Sequence, residues 1–518
     1  MKFKNVKRVA ALGLAVIMSA GLMTGCGASS KNESSAVKTE ETAKQNEETK
    51  AADPIPVRMI MYGEESPRMK ELMENEIYQK VLEEINVELE IDYLPWTEVN
   101  GGKTELMFSA GEKFMCFTDT DFTSKMVGKG YFADLTDVLE ANAPDLYANS
   151  DMETNIKQFT INGRIYSVPI GNKPNAGEDY LIMVRKDLME EVGVEEITSI
   201  EDLENFYTLC KEKHPDYIGL GRSLKHKIFN GAIESDMNVL FINSFVITDG
   251  NAENDSTLYS YYESEEFKQA CEIAKRWREM GIIPSYLLSN PQQSSSEFAA
   301  GRAMFAVGAN DRIFEMMDSL RSTVPDAVLE NVYLGDASEK PLMTRGGYNT
   351  AYAISAAIED PEELAAYIKV LNLLQKNQEW VDLWTYGVEG TDYTLTDSGS
   401  VERICTDEIL PSWLCVNTNF RRYADYVTEE QIETFNTQAD GSIVFKNAGF
   451  VFDTESVKAE YAQLQTVKSE YLDPIYNGFK DYDENIDEAI KKLKDAGIDK
   501  YMAEMQKQFG EFMKNKAN

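Results

Sequence analysis

His214 and His226 are all the imidazole that this 518-residue chain carries. A nucleophilic triad or an imidazole-rich metal site would have to be built on one of them. Six cysteines, Cys26, Cys116, Cys210, Cys271, Cys405 and Cys415, include no CxxC pair. Neither a zinc knuckle nor a disulfide framework is therefore indicated, and a Cys405–Cys415 bond stays open. Carboxylates abound, with 88 Asp and Glu against 51 Lys and Arg. Two of them flanking a glycosidic bond, roughly 5–10 Å apart, would make a secreted glycoside hydrolase. With so many acids some pair meets that spacing by chance, so their number does not argue for one. The chain has no nucleophile elbow, HExxH, Walker A run or EF-hand loop, which removes the usual hydrolase, phosphate and calcium chemistries. No enzyme, no cofactor and no metal are expected. What remains is binding by aromatic rings and polar side chains, and one thiol, Cys26, in a setting of its own.

That setting is the start of the chain. Lys2, Lys4, Lys7 and Arg8 precede the apolar run Val9–Met23, which has signal-sequence length and is too short to span a bilayer. Leu22-Met23-Thr24-Gly25-Cys26 then resembles the lipobox of bacterial lipoproteins, with Met23 where Leu is commoner. The chemistry explains the cysteine: its sulfur takes a diacylglyceryl group and the residue becomes the new N-terminus after cleavage. Two or more acyl chains anchor stably where one does not. The resemblance implies a signal peptide over 1–25, and a lipidated Cys26 with a disordered tether over 26–53. That tether is poor in apolar residues and reaches on the order of 30 Å. An ordinary secreted protein with a stray cysteine is the alternative. The formal charge of −37 repels phosphate backbones and argues against nucleic acid as a partner.

The body begins near Pro54 and is too long for one small core, so two lobes are expected. Ile55–Gly63 alternates as a strand, Pro67–Ile85 has a helical apolar period, VELEIDYLP alternates again, a helix ends near Gly111, and FMCFTD reads as a third strand. That succession predicts an α/β parallel sheet with crossover helices. Phe267, Ala270, Cys271, Ala274 and Trp277 form a helical stripe stopped by Gly281. Asp360-Pro361-Glu362-Glu363 is a helix start. Two helices close the chain, with Asp499 expected to cap the second. Trp277 and Trp384 read as core.

INGRIYSVP (161–169), YLIMVRKDLMEEVG (180–193) and EFAAGRAMF (297–305) follow in order. They resemble the segments of extracellular solute-binding proteins of carbohydrate-type ABC importers, a resemblance that implies one hinge strand for INGRIYSVP. LWTYGVEGTDY (383–393), FKNAGFVFDTESVKAEYAQL (445–464) and DEAIKKLKDAGIDKYMAEMQKQFGEF are similar to the branch with a long C-terminal extension. Met115 stands where the family often has an acid. The resemblance covers nearly all of 54–518. It implies a two-lobed periplasmic-binding-protein-like (type II) fold with an interlobe cleft and a C-terminal helical extension. Lobe one would be 54–171 plus 349–405, and lobe two 174–345 plus 410–518. Crossovers would lie near Ile170–Pro174, Arg345–Thr350 and Cys405–Pro411, with Gly346-Gly347 suited to a hinge. The implied function is capture of a carbohydrate, an oligosaccharide, for separate ABC permease subunits. The implied chain is a monomer on the extracytoplasmic face, held to the membrane at Cys26. A peptide or modified sugar as ligand is the alternative.

A sugar's hydroxyls call for amide and charged groups, and its C–H face for an aromatic ring. Strand ends and crossovers near the implied cleft supply them. Trp96 follows the second strand, and Asp119 and Asp121 follow the third. Asn172 and Glu178 flank the first crossover, Arg345 and Tyr348 the second. Trp413 and Asn417 lie past the third. Each has a plainer role open to it: Trp96 a packing anchor, Asp119 and Asp121 helix caps, Arg345 a lobe-to-lobe ion pair.

Overall fold

The computed structural model describes residues 53–516 except 100–101, 172, 175, 177–180, 222–238, 251, 253–254, 308–311, 336–342, 345, 349, 406, 408, 411–413 and 415–416, and except the side chains of 96, 97, 121, 239, 291, 292 and 343. Along the first half of the chain the strands include β1 (Ile55–Tyr62), β2 (Val87–Leu94), β3 (Met115–Asp119), β4 (Val168–Pro169), β5 (Ile182–Arg185), β6 (Ile218–Leu220) and β7 (Val239–Phe241). Then come β8 (Val246–Asp249), β9 (Tyr259–Ser260), β10 (Ala303–Val307), β11 (Leu329–Val332), β12 (Met343–Thr344), β13 (Thr350–Ile354) and β14 (Ile443–Val444).

Local chemistry explains the first of these elements. The helix from Pro67 opens with proline in its first turn and Ser66 Oγ accepting from Met69 N at 3.0 Å. It runs through a π-helical turn at Met73–Ile77 and ends where Asn86 turns left-handed at φ 57°, a cap that Asn tolerates. β2 alternates Val87 and Leu89 inward with Glu88 and Glu90 outward, and charges on an edge strand discourage pairing with another chain. β1 pairs in parallel with β2 and β3, while β13 runs antiparallel to β3 and β4, giving the order β2-β1-β3-β13-β4. Met115, in place of the family's acid, is fully buried at the start of β3.

A second sheet, in the order β11-β5-β10-β6, and a three-stranded antiparallel sheet β9-β8-β7 follow. Apolar burial separates accordingly. One core takes residues from Val57 to Ile170 and from Tyr348 to Leu414. Another takes Ile182 to Leu334 and Val457 to Phe509, and a smaller cluster takes Met183, Phe298 to Leu329 and Phe435. The chain therefore passes between the first core and the others three times. Ile409, Leu410 and Leu414 bury in the first core, so the third passage lies beyond Leu414, downstream of the expected Cys405–Pro411.

Two further expectations change. INGRIYSVP forms a tight hairpin, Thr160–Ile161 against Arg164–Ile165, followed by β4, not one strand. Asn162 and Gly163 sit at φ 51° and 76°, the Asn-Gly geometry of a two-residue hairpin turn. Asp499 lies inside the first turn of helix Ile498–Lys516 rather than before it, where its charge still favours the dipole. Trp277, Trp380 and Trp384 are buried. Cys116, Cys210 and Cys271 are buried free thiols, and burial pushes each thiol up, Cys210 to about 12, so they are inert. Cys405 is also a free thiol, and Cys415 lies outside the described residues. No described helix is long and apolar enough to cross a membrane. Cys26 and the segments 1–25 and 26–53, apart from Asp53, lie outside the described residues.

Candidate functional site

The three passages are where the chain's polar groups converge. Gly171, just after β4, is held from three sides. Its carbonyl accepts from Asn149 Nδ2 at 2.9 Å, and from Thr418 N and Oγ1, each at 3.2 Å. Its N–H donates to Gln375 Oε1. Asn417 closes the group: its Oδ1 accepts from Asn149 Nδ2 at 3.0 Å and from Asn419 N at 3.1 Å, and its Nδ2 donates to Gln375 O at 3.2 Å. Asn149, Gln375 and Asn417 are almost fully buried. A satisfied amide network in such a place rigidifies, and a half-satisfied one would be costly. It ties the first passage to the third.

Asn155 does the same for the second. From helix Met152–Gln158, its Nδ2 donates to Ile170 O at 3.1 Å and its Oδ1 accepts from Tyr348 N at 2.8 Å. On the far side of Gly346 and Gly347, Thr344 of β12 bridges Ala176 and pairs in register with Val444 of β14. Between Thr344 and Tyr348 stand Gly346 and Gly347. Gly346 is left-handed at φ 91°. A side chain on Gly347 would press within 3.0 Å of Gln158 and of the carbonyl of Thr154, so glycine there is required by close approach.

Past the third passage the chain lies against both sides. Arg422 Nε reaches both carboxylate oxygens of Asp382 at 2.9 Å, on the first core's side. Tyr423 meets Phe314 edge-on at 5.0 Å and Tyr426 OH donates to Asp318, on the side of the small cluster. Arg421 stacks over Phe435 at 5.1 Å.

The expected site residues divide. Asp119 caps helix Thr120–Gly128, its Oδ1 accepting from Phe122 N at 2.7 Å. Tyr348 is buried in the first core. Asn417 is 2% exposed with its amide turned into the network above. Trp96 begins the short helix Trp96–Val99 and Asp121 stands in the first turn of helix Thr120–Gly128. Asn172, Glu178, Arg345 and Trp413 lie outside the described residues. The helices beside Trp96 and Asp121 are bound together by Glu105, which accepts from Lys125 at 2.6 Å and Lys129 at 2.5 Å. Burial opposes its charge, but the two ammoniums prevail and hold the carboxyl below its ordinary range. Sequence reasoning missed Asn149, Asn155 and Gln375, single amides in loops or helices with no pattern around them.

Two open cavities lie elsewhere, at the β2 edge. One is lined by Glu65, Glu74, Tyr78 and Glu90, the other by Arg58, Tyr78, Glu88 and Tyr367. Neither meets the passages. Among the described residues no group of three or more His, Cys, Asp or Glu is placed to hold a metal ion. Among the described residues, the arrangement positions backbone at the passages.

The chain resembles known proteins along nearly its whole length. Residues 446–514 match a model described as a domain of unknown function. A carbohydrate ABC transporter substrate-binding protein of Streptococcus pneumoniae serotype 4 is 26% identical over 528 residues, covering 99% of this chain and 100% of that one. The crystal structure of the N-glycan transport solute binding protein NgtS from Streptococcus pneumoniae superposes with a TM-score of 0.70 at 24% identity, over 89% of this chain and 100% of that one. The same protein in complex with Man5GlcNAc gives 0.67 at 24% identity, over 89% and 99%. The alginate-binding protein AlgQ2 gives 0.59 at 15%, over 88% and 98%. These likenesses establish the two-lobed α/β fold. Residues 76–393, well over half the chain, match the model of the bacterial extracellular solute-binding proteins, and to that family this chain belongs.

Proposed function

We propose that this chain captures an oligosaccharide between its two lobes and hands it to ABC permease subunits, as a monomer held to the membrane by a lipid on Cys26. The observation that carries the ligand class is end-to-end likeness to the pneumococcal protein described as a carbohydrate ABC transporter substrate-binding protein. The solved relative in complex with Man5GlcNAc supports an N-glycan-type oligosaccharide. Lobe one is 54–171 plus 349 to Leu414, and lobe two is 174–345 plus the remainder. Trp96, Asp121, Asn172, Glu178, Arg345 and Trp413 are the ligand contacts, and Asp119, Tyr348 and Asn417 hold the backbone that presents them. Hinge closure about the passages brings both lobes onto the solute.

Calorimetric titration of the mature chain with Man5GlcNAc, malto- and chito-oligosaccharides, amino acids and peptides tests the reading. Binding to peptides alone, or to no oligosaccharide, sinks it. Within it, Trp413→Ala is expected to weaken oligosaccharide binding about ten- to a hundredfold, the effect of losing one stacking ring. Unchanged affinity beside a collapsed melting temperature would make Trp413 scaffold. For the anchor, cells fed a palmitate analogue are expected to label the wild-type protein and not Cys26→Ala. Equal label on both removes it.

A further inference from the structure

Lys446 is the first residue of the segment of unknown function, and its side chain does not reach water as a lysine's ordinarily does. The residue is 8% exposed. Its ammonium donates to three backbone carbonyls of one turn, Asp249 at 2.5 Å, Ala252 at 3.1 Å and Asp255 at 2.9 Å. An ammonium has three protons, and here each has a carbonyl. The turn joins β8 to β9, and Asp255 folds its own carboxylate inward onto Thr257 N and Oγ1 at 2.9 and 2.6 Å, which leaves the carbonyls for the cation.

The residues on either side of Lys446 hold two further elements. Phe445 N donates to Thr344 O at 2.9 Å, continuing the β12–β14 pair beside the glycines of the second passage. Asn447 Nδ2 donates to Phe241 O of β7 at 3.2 Å. Just beyond the far end of the segment the chain returns to the same place: Lys516 donates to Lys446 O at 3.0 Å. Within the segment Tyr501 OH accepts from Asn243 at 2.9 Å, and Gln506 exchanges bonds with Leu258 N and Ser256 O at 2.9 and 2.6 Å. Every strand of the β9-β8-β7 sheet or its turns is thus gripped by residues after 445.

We propose that Lys446 is a tethered cation around which the turn after β8 is built, and that through it the segment 446–514 fastens the three-stranded sheet and the second passage to lobe two, confining hinge rotation to Gly346 and Gly347. Lys446 is a positioning residue: it holds backbone, and backbone holds the passage. The proposal rests on the fold and not on the identity of the solute, so it is tested without ligand.

The experiment is hydrogen exchange on the full mature chain. Lys446→Met keeps the apolar stem and removes the ammonium. Amides from Val246 to Leu258 and that of Phe445 are expected to exchange about tenfold faster or more, while those of β1 and β3 keep wild-type rates. Lys446→Ala is expected to do the same and to recover with n-propylammonium, which supplies the missing stem and charge, but not with n-propanol or sodium chloride at equal concentration. Wild-type rates at 246–258 in Lys446→Met overturn the proposal. So does equal recovery with propanol, which would reduce Lys446 to packing. If Lys446→Ala does not fold, Lys446→Met alone decides.

Discussion

Asp392→Ala is expected to destabilise lobe one by about 3–5 kcal/mol, the cost of breaking a buried ion pair by removing one partner. Asp392 is nearly inaccessible, and Arg68 is largely covered. The pair is bidentate, Arg68 Nε to Oδ1 at 2.6 Å and Nη2 to Oδ2 at 2.8 Å, the geometry in which arginine binds carboxylate best. Asp392 also accepts from Val388 N at 2.8 Å. Its backbone carbonyl accepts from Ile404 N and Cys405 N. Truncation leaves a guanidinium and a buried N–H unmet, and Glu71, itself mostly exposed, compensates only in part. Pairing Asp392→Leu with Arg68→Met is expected to cost less than the sum of the two single changes, since replacing both charges avoids the unpaired one. Urea midpoints for the four proteins of that cycle, and for Asp392→Ala, check this. A loss below about 1 kcal/mol for Asp392→Ala would show the pair to be a surface ornament of the kind that contributes little.

The same pair explains a motif that the sequence displayed without its reason. LWTYGVEGTDY reads as a family signature, yet its residues serve each other. Gly387, at φ 90°, lies so near Asp392 that a Cβ there would stand 2.3 Å from Oδ2. Such local features were legible: the helical period from Pro67, Asp360-Pro361, and the apolar stripe that buries Phe267, Cys271 and Trp277. Asn162-Gly163 is a plain hairpin signal as well, though INGRIYSVP taken whole resembles a single strand of the family. The network at the passages was not legible. Asn149 and Asn417 are 268 positions apart, and Arg68 and Asp392 are 324 apart. Amides and ion pairs at such distances carry no period, because their spacing is set by the path of the chain and not by a helix or strand repeat. Asn417 was found by position, near a passage, but position does not say whether an amide faces solvent or backbone. Its 2% exposure does.

Gly171→Ala is expected to be the more damaging of two glycine changes, although a backbone argument alone would rank them the other way. Gly163 sits at φ 76° with nothing within 4 Å of a Cβ. Alanine there suffers only the left-handed strain, about 1–2 kcal/mol. Gly171 is not left-handed, so its backbone suits alanine. Its Cβ, however, would stand 2.6 Å from Asn149 Nδ2, 2.7 Å from Gln375 Oε1 and 3.2 Å from Asn417 Cγ. None of the three can retreat freely, since all are buried and each is bonded to another passage or to Gly171 itself. Overpacking costs about 1–3 kcal/mol, and each buried amide pushed off its partner about 1–3 more. A total near 3–5 kcal/mol follows, since the amides shift together rather than independently. The change also moves the carbonyl through which the first and third passages are joined, so ligand-free hydrogen exchange at Asn155, Tyr348 and Thr418 is expected to rise with it. Urea unfolding of Gly171→Ala and Gly163→Ala, side by side, decides. If the midpoint of Gly171→Ala lies at or above that of Gly163→Ala, the network at the passages yields to a methyl group and cannot be what fixes the lobes' pivot.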